Sequence, residues 1–472
     1  MKKKRKEAIT IEQLHILEAG SEGVCIGKYE ERVVFVPYVV PGDVVDVQVF
    51  KRKRSYYEGK AVALHTASPN RITPQCEHFG LCGGCKWQNM QYETQLFYKR
   101  KQVIDNFQRI GKFPFPEVNP ILASESVFAY RNKVEYTFSN KRWLEKEEMD
   151  TMELLDTNGL GFHLPGMFDK ILDIHHCYLH EKKGNDIRDA IKRYAIDNQL
   201  EFWNPRQQTG LLRNLIIRTA VSGDLMVIVV FTALTKQARQ LLDFIRESFP
   251  YITSLIYVEN AKKNDSITDL PTHTYHGSDF MIEQMNQLQF KVSPLAFYQT
   301  NAKQALKLYE VTARFANATK NEIVYDLYTG TGTIALFLAS AAKKVVGIEC
   351  VESAIENAVE NAKLNNITNA DFCAGDMAKV FTNDFVAKNG KPDVIIADPP
   401  RSGMHPKVVE QIVNIAPQRM VYVSCNPATQ ARDIALMADF YEITEVQPVD
   451  MFPHTHHVEN VALLVKKGLK SV

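Results

Sequence analysis

The feature that most limits the possible folds is an alternation of short apolar runs and helical stretches that begins near residue 300. Residues 323–328 (IVYDLY) and 344–349 (KVVGIE) are two such runs, and the loop TGTGT at 329–333 separates the first run from a helical stretch. Such alternation is typical of a parallel sheet. These sheets bind ligands at the carboxyl ends of their strands. The last third of the chain is therefore predicted to be a ligand-binding α/β domain.

The length and composition leave room for further domains. The chain has 472 residues, of which 45% are hydrophobic and 24% charged, which is typical of an ordinary soluble protein with about three domains. The longest apolar run, residues 225–234, is too short to span a bilayer, and the basic start lacks the apolar segment of a secretory signal. We therefore expect a cytoplasmic location, no membrane association and no obligate protein partner.

The beginning of the chain has the pattern of a small β-barrel. Residues from about 9 to 66 alternate apolar and polar positions in short runs broken by turns, which indicates five or so strands of an OB-type barrel. The segment resembles a TRAM domain, an RNA-binding barrel, although a β module without a ligand also fits. Basic clusters at 2–6 and 51–54, the second followed by two tyrosines, suit RNA contact but equally suit a solvated tail and hairpin.

Three cysteines, Cys76, Cys82 and Cys85, lie in a glycine-rich loop. In a cytosolic chain they favour a metal centre over disulfides, and Cys177 is the best candidate for a fourth ligand. Zinc and an iron–sulfur cluster both accept four thiolates, but the second Cys-x2-Cys of a typical zinc site is missing. The spacing also differs from the Cys-x3-Cys-x2-Cys of radical enzymes, so a cluster would be structural. His78 is interpreted as part of the loop, and a loop without metal is the alternative.

The region after the cysteine loop predicts a helix and then a domain rich in strands. A helix is expected over residues 92–110, ending at Gly111. Its predicted buried face consists of four apolar residues: Leu96, Val103, Phe107 and Ile110. From residue 129 to about 290 the pattern is mostly strand with helical interruptions.

The glycine loop of the last third is predicted to bind a nucleotide-like ligand. Its glycines, including Gly330, let the backbone approach a ligand closely. Glu349 ends the following strand and is placed to accept hydrogen bonds from a ribose. A nicotinamide cofactor would fit these two features as well. Asp326, before the glycines, and the motifs that follow favour S-adenosylmethionine.

Two later motifs extend this site. The first is Gly375-Asp376, and in the second Asp398 ends a predicted strand, within the sequence DPPR. Acid-Pro-Pro followed by an aromatic residue occurs in amino-group methyltransferases. Here Arg401 follows instead, which suits methylation of a pyrimidine carbon. A purely structural turn is the alternative.

A further short run, MVYVS at 420–424, predicts a buried strand that delivers Cys425 to the edge of the sheet. Taken alone, Cys425 is more typical of a small residue packed at a strand end. The motifs around it favour a chemical role.

Taken together, these motifs resemble the RNA uracil-5-methyltransferase family, in particular its iron–sulfur, TRAM-bearing branch that modifies 23S ribosomal RNA. The resemblance covers nearly the whole chain and includes the sequences FYQTN at 297–301, SCNP at 424–427 and HHVE at 456–459. Thr329 and Thr333 occupy loop positions at which relatives often carry other residues. This departure affects only the detail of the cofactor contacts.

The resemblance implies roles for individual residues. Cys425 would be the nucleophile that adds to carbon 6 of uracil, and Glu459 would be the base that removes the carbon 5 proton. The residues assigned to the methyl donor and the uracil are Gln299, Asp326, Tyr328, Gly330, Glu349, Asp376 and Asp398. A 4Fe-4S cluster would be held by Cys76, Cys82, Cys85 and Cys177.

The predicted fold is an α/β, Rossmann-like S-adenosylmethionine-dependent methyltransferase domain with an N-terminal OB-type barrel and a central α+β domain that carries the iron–sulfur loop. The predicted domains are 1–67 (barrel), 68–90 with 126–295 (central, RNA-binding), and 91–125 with 296–472 (methyltransferase). The expected function is methylation of carbon 5 of a uridine, with ribosomal RNA favoured over tRNA. Other hypotheses are a tRNA enzyme, a non-catalytic iron–sulfur RNA-binding protein and a nicotinamide oxidoreductase.

Overall fold

The computed structural model describes residues 9–144, 146–149 and 156–468 of the chain. The basic cluster predicted at 2–6 lies outside these ranges. Among the helices within them, none combines the length and apolarity that a membrane span requires.

The N-terminal segment forms a closed five-stranded barrel in the order β1-β2-β3-β5-β4, as the sequence predicts. Alternate side chains of its strands point inward and are buried. The strands are β1 (Ile9–Ala19), β2 (Val24–Tyr29), β3 (Arg32–Pro37), β4 (Val44–Arg52) and β5 (Tyr56–Thr66). The cysteine loop follows, and then helix α1 (Tyr92–Asn106), which continues into one π-helical turn, Phe107–Gly111.

The central part of the chain contains a mixed seven-stranded sheet in the order β12-β11-β10-β9-β6-β7-β8. Its strands are β6 (Lys133–Ser139), β7 (Gly159–His163), β8 (Ile171–Asp173), β9 (Leu212–Thr219), β10 (Leu225–Phe231), β11 (Ser254–Glu259) and β12 (His273–Gly277). Its helices are α2 (Lys146–Met149), α3 (Lys182–Asp197) and α4 (Lys236–Ser248). A hairpin of β13 (Met281–Met285) and β14 (Leu288–Val292) leads to the last part of the chain.

A second seven-stranded sheet, here the C-terminal sheet, has the order β17-β16-β15-β18-β19-β21-β20. The five strands from β15 to β19 are parallel, and β21 runs antiparallel between β19 and β20. Its strands are β15 (Ile323–Leu327), β16 (Lys344–Glu349), β17 (Ala370–Ala374), β18 (Val394–Ala397), β19 (Arg419–Ser424), β20 (Tyr441–Val449) and β21 (Glu459–Lys466). Its helices are α5 (Ala302–Ala316), α6 (Thr333–Ala339), α7 (Glu352–Leu364), α8 (Met377–Val380), α9 (Asn383–Asn389), α10 (Pro406–Ile415) and α11 (Pro427–Ala435).

Hydrophobic cores cover both faces of the C-terminal sheet, because alternate residues of each strand point to opposite sides. Val324 enters the core under α5, α6 and α7, which also contains residues of the central sheet. Tyr325 enters the core under α10 and α11. This arrangement is the α/β, Rossmann-like domain that the sequence predicts. The domain limits drawn from the sequence remain a prediction.

Helix α1 packs in the second of these cores through Val103 and Phe107. The predicted helix is present, but its buried face differs from the prediction. Ile110 is exposed, whereas Gln95 and Lys99 are fully buried. The residue that leaves the helix in the left-handed conformation is Lys112, with φ 55°, rather than Gly111. The polar residues were missed because apolar periodicity cannot identify a buried residue whose partner is polar.

Candidate active site and cysteine centre

The C-terminal sheet brings Cys425 and Glu459 to the same edge. β19 ends at Ser424, which pairs with Asn460 of the antiparallel strand β21. Cys425 follows Ser424, and Glu459 is the first residue of β21, so the register places the two opposite each other. Cys425 is half-buried and Glu459 is only 5% exposed. A thiol and a carboxyl group from distant parts of the sequence thus share one enclosed edge.

The turn that carries Cys425 is fixed by the residues after it. Asn426 caps α11, because its Oδ1 accepts the N–H of Ala428 at 3.1 Å, and Pro427 occupies the first turn of that helix. Asn426 Nδ2 donates to the carbonyl of Arg401 at 3.0 Å. The Asp-Pro-Pro-Arg turn is thereby joined to the Ser-Cys-Asn-Pro turn, which leaves Cys425 at the bend between strand and helix.

A buried amide pair holds the two sides of this edge together. Gln430 Nε2 donates to the carbonyls of Tyr422 at 2.8 Å and Asn460 at 3.2 Å. Asn460 Nδ2 donates in return to Gln430 Oε1 at 2.8 Å. These bonds link α11, next to Cys425, with β21, next to Glu459. The sequence analysis missed both amides, since a buried amide on a helix carries no signal of its partner.

The charges at the edge oppose ionisation of the thiol. Burial, together with the carboxyl groups of Glu459 and Asp398, raises the pKa of Cys425 to about 11, and Arg401 acts in the opposite sense. Burial and Asp398 raise the pKa of Glu459 to about 8, again against Arg401. Burial and the nearby Asp326 raise the pKa of Asp398 to about 7. Near neutral pH the carboxyl groups are therefore partly protonated, which suits proton exchange with a bound substrate.

Arg401 provides positive charge at this edge. One of its terminal nitrogens lies 3.5 Å from the ring nitrogens of His457. Burial, His456 and Arg401 lower the pKa of His457 to about 3, so the ring is neutral and does not compete for the carboxyl groups. Sequence analysis named Arg401 for the type of reaction but not for this electrostatic role.

The glycine loop lies at the carboxyl end of β15. Asp326 Oδ2 accepts the hydroxyl of Thr329 at 2.5 Å and the N–H of Ala335 at 3.0 Å, so this carboxyl group ties the loop to α6. Burial raises the pKa of Asp326 to about 7. Its Oδ1 has no partner within the part of the chain that the structure describes. Asp326 therefore shapes the loop, and Tyr328 adopts the left-handed conformation that the loop requires, with φ 65°.

The space beside this loop fits a ligand with a ribose. Gly330 has φ 55°, and a Cβ at this position would meet nothing within 4 Å. Glu349 Oε2 accepts the Gly330 N–H at 3.2 Å, and its Oε1 accepts the N–H groups of Cys350 at 2.7 Å and Val351 at 3.1 Å. The loop and the acid at the end of β16 are thus held together around open space. These residues fit S-adenosylmethionine.

Two further predicted ligand residues, Asp376 and Asp398, follow two other strands of the C-terminal sheet. Asp376 follows β17, the edge strand on the other side of the sheet, and accepts the N–H of Ala378 at 3.0 Å. Asp398 follows β18, between the glycine loop and Cys425. The order of the strands therefore places the donor residues on one side of Asp398 and Cys425 on the other.

Gln299 lies in the loop between β14 and α5, and the central sheet holds that loop. Asn132 Nδ2 donates to the Gln299 carbonyl at 3.1 Å, and the Asn132 N–H donates to the carbonyl of Thr300 at 2.8 Å. The buried Arg218 donates to the carbonyls of Ser293, Pro294 and Ala296 in the same loop. Nearby Phe297 is 72% exposed, so its aromatic face is available to an RNA base.

The four cysteines of the predicted metal centre line one cavity of about 520 Å³. None of the four forms a disulfide bond with another cysteine of the described residues. Burial raises the pKa of Cys82 to about 11 and also raises the pKa of Cys76, Cys85 and Cys177. The charges of neighbouring cysteines, Cys177 among them, also raise the pKa of Cys76, Cys82 and Cys85. A donor set of four half-buried thiols that line one cavity fits a cationic metal group.

His78 joins the cysteine loop to the segment that carries Cys177. Its Nε2 accepts the N–H of His175 at 2.9 Å, while Asn185 Oδ1 accepts the N–H of Cys177 at 2.8 Å. Among the described residues, Glu77, His78 and His175 bring three potential ligand atoms within 4.8 Å of one another. This group includes no cysteine. The hydrogen bond of His78 supports the structural interpretation of this residue.

Comparisons with known proteins agree with the fold. A family model described as tRNA (Uracil-5-)-methyltransferase matches residues 272–467, and a TRAM domain model matches residues 5–62. A protein of Bacteroides thetaiotaomicron described as an uncharacterized RNA methyltransferase is 54% identical over 94% of this chain and 99% of its own. A protein of Porphyromonas gingivalis with the same description is 50% identical over 96% of this chain and 99% of its own.

Among solved structures, the tRNA (uracil-54, C5)-methyltransferase of Pyrococcus abyssi in complex with S-adenosyl-L-homocysteine superposes with a TM-score of 0.74. It is 27% identical in sequence, and the match covers 96% of this chain and all of that one. The match thus covers nearly the whole of both chains.

Proposed function

The chain belongs to the RNA uracil-5-methyltransferase family and is an S-adenosylmethionine-dependent RNA methyltransferase with a TRAM domain, and on that premise we propose that it methylates carbon 5 of a uridine through a covalent adduct with Cys425. The observation that carries the proposal is the strand register that brings Cys425 and Glu459 together. A non-catalytic RNA-binding protein would not need a thiol and a buried acid at the ligand edge of this sheet.

The reaction begins with the Cys425 thiolate, which adds to carbon 6 of the uracil. The new C–S bond pushes the carbon 5–carbon 6 electron pair toward the carbonyl oxygen at carbon 4, which gives an enolate. A protonated Asp398 can donate a hydrogen bond to the developing charge, since its pKa lies near 7. Gln299 is proposed to contact a uracil carbonyl.

Carbon 5 of the enolate then attacks the methyl group of the donor, whose sulfonium sulfur leaves with the electrons of the broken bond. Glu459 removes the carbon 5 proton, the carbon 5–carbon 6 double bond re-forms, and the sulfur of Cys425 departs as thiolate. Glu459 must be ionised for this step. Because its pKa is raised to about 8, proton removal should accelerate as the pH rises toward that value.

We further propose that Cys76, Cys82, Cys85 and Cys177 hold a 4Fe-4S cluster. Four sulfurs around one zinc ion lie roughly 3.8 Å apart, given the Zn–S distance. Among the described residues, the group whose ligand atoms all lie within 4.8 Å of one another contains no cysteine sulfur. The cysteines are thus not gathered at the spacing of a zinc site, which favours a larger centre. Anaerobically purified protein should contain about four iron and four sulfide ions per chain. Zinc without iron would contradict the proposal.

Large-subunit ribosomal RNA is the proposed substrate, on the resemblance to the cluster-bearing branch. The superposition with the Pyrococcus abyssi tRNA enzyme favours tRNA as the second candidate, since that likeness extends over the whole of the solved chain. The experiment that tests the proposal uses 23S rRNA fragments and tRNA, each containing 5-fluorouridine.

Carbon 5 of 5-fluorouridine carries fluorine, which cannot leave as a cation, so the adduct accumulates with the correct RNA. A methylated covalent complex with wild-type protein, absent in Cys425→Ala, is expected. Its formation with tRNA but not with rRNA would transfer the proposal to the second substrate. Normal methylation of uridine by Cys425→Ala would refute the covalent mechanism.

A further inference from the structure

The segment between β20 and β21, residues 450–458, ends next to Glu459 and is called here the base loop. Helix α1 and the end of the cysteine loop both contact it. Glu459 is the first residue of β21, and its main chain pairs with Val449. The sheet therefore fixes the main chain of Glu459 from one side, whereas the base loop determines how the chain enters β21.

Gln95 of α1 is the centre of these contacts. Its side chain is fully buried. Gln95 Oε1 accepts the N–H of His454 at 2.8 Å, and Nε2 lies 3.3 Å from His454 Nδ1. The same Nε2 donates to the carbonyls of Trp87 at 3.0 Å and Met90 at 2.9 Å. One amide thus joins the helix, the base loop and the chain that leaves the cysteine loop.

The end of the cysteine loop contacts His454 from the other side. The N–H groups of Lys86 and Trp87, which directly follow Cys85, both donate to the carbonyl of His454, at 2.9 and 3.0 Å. The ring of His454 stacks on Phe128, with 4.5 Å between the ring centres. His454 has φ 65°, a conformation that non-glycine residues adopt only when the surroundings impose it. Every polar main-chain atom of His454 is therefore used to hold it in place.

The beginning of the base loop is anchored by a buried ion pair. Lys99 Nζ lies 2.5 Å from Asp450 Oδ1 and donates to the carbonyl of Phe452 at 3.0 Å. Tyr92 donates its hydroxyl to the other oxygen of Asp450 at 2.8 Å. Since the side chains of Lys99 and Asp450 are both fully buried, this end of the loop cannot shift without exposing or unpairing a charge. The ion pair and Gln95 together fix the loop at two points.

We propose that Gln95 is a positioning residue for the proton-abstraction step: it holds His454 and thereby sets the place of the Glu459 carboxyl group over carbon 5 of the uracil. The proposal rests on the proposed roles of Cys425 and Glu459. The thiol and the donor loop belong to β19, β15 and β16 rather than to the base loop. Loosening the loop should therefore slow removal of the proton and leave addition and methyl transfer nearly unchanged.

The test is a single-turnover reaction at pH 9, at which the Glu459 carboxyl group is largely ionised. Full-length protein, methyl-labelled S-adenosylmethionine and RNA with tritium at carbon 5 of uridine report methyl transfer and proton release separately. Gln95→Met should transfer the methyl group within about threefold of the wild-type rate but release tritium about 10- to 100-fold more slowly. The methylated RNA should then remain attached to the protein on a denaturing gel.

Gln102→Met is the matched control, because Gln102 is on the same helix and its buried Oε1 has no partner among the described residues. It should behave as the wild type. Gln95→Glu, which keeps the acceptor for the His454 N–H, is the second variant if Gln95→Met does not fold, and it should show the same defect at smaller size. Binding of S-adenosylmethionine identifies the folded protein in each case.

Glu459→Gln separates the inference from the proposed function. If this variant does not accumulate the methylated adduct, the assignment of the base is wrong. If it does, and the folded Gln95 variants release tritium as fast as the wild type, or slow both steps equally, then Gln95 does not position the base.

Discussion

Two sites in this molecule contain half-buried thiols, and they differ in the charges that surround the sulfur. Cys425 lies among Glu459, Asp398 and Arg401, which can accept a proton or balance a negative charge. At the cysteine centre, the pKa of Cys85 is raised by burial and by the charges of the three other cysteines. The positive charges of Arg131 and Arg188 lower the pKa of Cys177, but neither arginine is one of the four candidate metal ligands.

This difference in neighbouring charges indicates which thiol can ionise without a bound metal. One thiolate at Cys425 can form during a reaction, because its proton can pass to a neighbouring group or to solvent. Four thiolates in one cavity repel one another, so they need a cationic group that binds all of them. Under the proposed roles, the first site carries a transient charge and the second a permanent one.

The largest effect is expected when the nucleophile is removed. Cys425→Ala should lower the rate of RNA methylation by more than about 10⁴-fold, because carbon 5 is then not activated. Single-turnover methyl transfer and adduct formation with 5-fluorouridine RNA measure the loss. Cys373→Ser, a half-buried thiol on β17, is the control and should keep wild-type activity. A similar loss in the control would show that the assay responds to any change of a thiol.

Removal of the base should have the next largest effect. Glu459→Gln should slow tritium release from carbon 5 by about 10²- to 10⁴-fold, while the methylated adduct accumulates. In the wild type, the rate of release should rise with pH and level off above about pH 8, since only the ionised carboxyl group accepts the proton. A release rate that does not change between pH 6 and 9 would contradict this assignment.

Disruption of the cysteine centre should weaken the fold more than the chemistry. Cys85→Ser is expected to lower the midpoint of thermal unfolding by more than about 5 °C, because binding energy of a structural metal group is also folding energy. Hydrogen exchange at the amides of residues 86, 87 and 454 should increase. The folded fraction should still form the 5-fluorouridine adduct. Complete loss of adduct in folded protein would mean that the two thiol sites are not separable.

A smaller effect distinguishes the charges around Cys425. Arg401→Met should raise the pKa of the thiol, and Glu459→Gln should lower it, because one removes a positive and the other a negative neighbour. The rate of Cys425 alkylation by iodoacetamide at pH 8 should fall about threefold in the first variant and rise about threefold in the second. The four cysteines of the centre, measured by the same reagent, should not respond to either change.

The smallest effect concerns stability. Because the pKa of Glu459 is about 8 in the folded chain and lies above its ordinary value of 4.5, the protein prefers the neutral carboxyl group. That preference stabilises the fold below pH 4.5 and is lost as the pH rises through 8. Glu459→Gln stays neutral at both pH 5 and pH 9. The unfolding midpoint of this variant minus that of the wild type should therefore be about 2 °C higher at pH 9 than at pH 5. An equal difference at both pH values would contradict the raised pKa.

Much of the fold was accessible from the sequence, because its elements are local. The runs at 323–328, 344–349 and 420–424 form β15, β16 and β19, and the barrel has the predicted five strands. The juxtaposition of Cys425 and Glu459 depends instead on the antiparallel insertion of β21 next to β19, which no local pattern reveals. The family resemblance named both residues, but only the register explains why they meet.

The polar residues that support this site could not be predicted from the sequence, for the same reason. Gln95, Lys99, Gln430 and Asn460 are buried polar residues whose partners are far away in the sequence. Hydrophobic periodicity places such residues at the surface, and for α1 it identified Val103 and Phe107 but missed Gln95 and Lys99. The error is physical in origin, since a buried polar group is tolerated only when a partner satisfies it, and the partner is not local.

The Lys99–Asp450 pair also constrains how the chain can be made. Asp450 follows Lys99 by 351 residues. At a translation rate of about 5–20 residues per second, Lys99 leaves the ribosome roughly 20–70 seconds before its counterion. Helix α1 cannot bury the charge of Lys99 before Asp450 is synthesised. We therefore expect Lys99 to stay exposed to solvent while the central sheet forms. The helix and the exit of the cysteine loop are thus expected to dock last, when synthesis of the chain is almost complete.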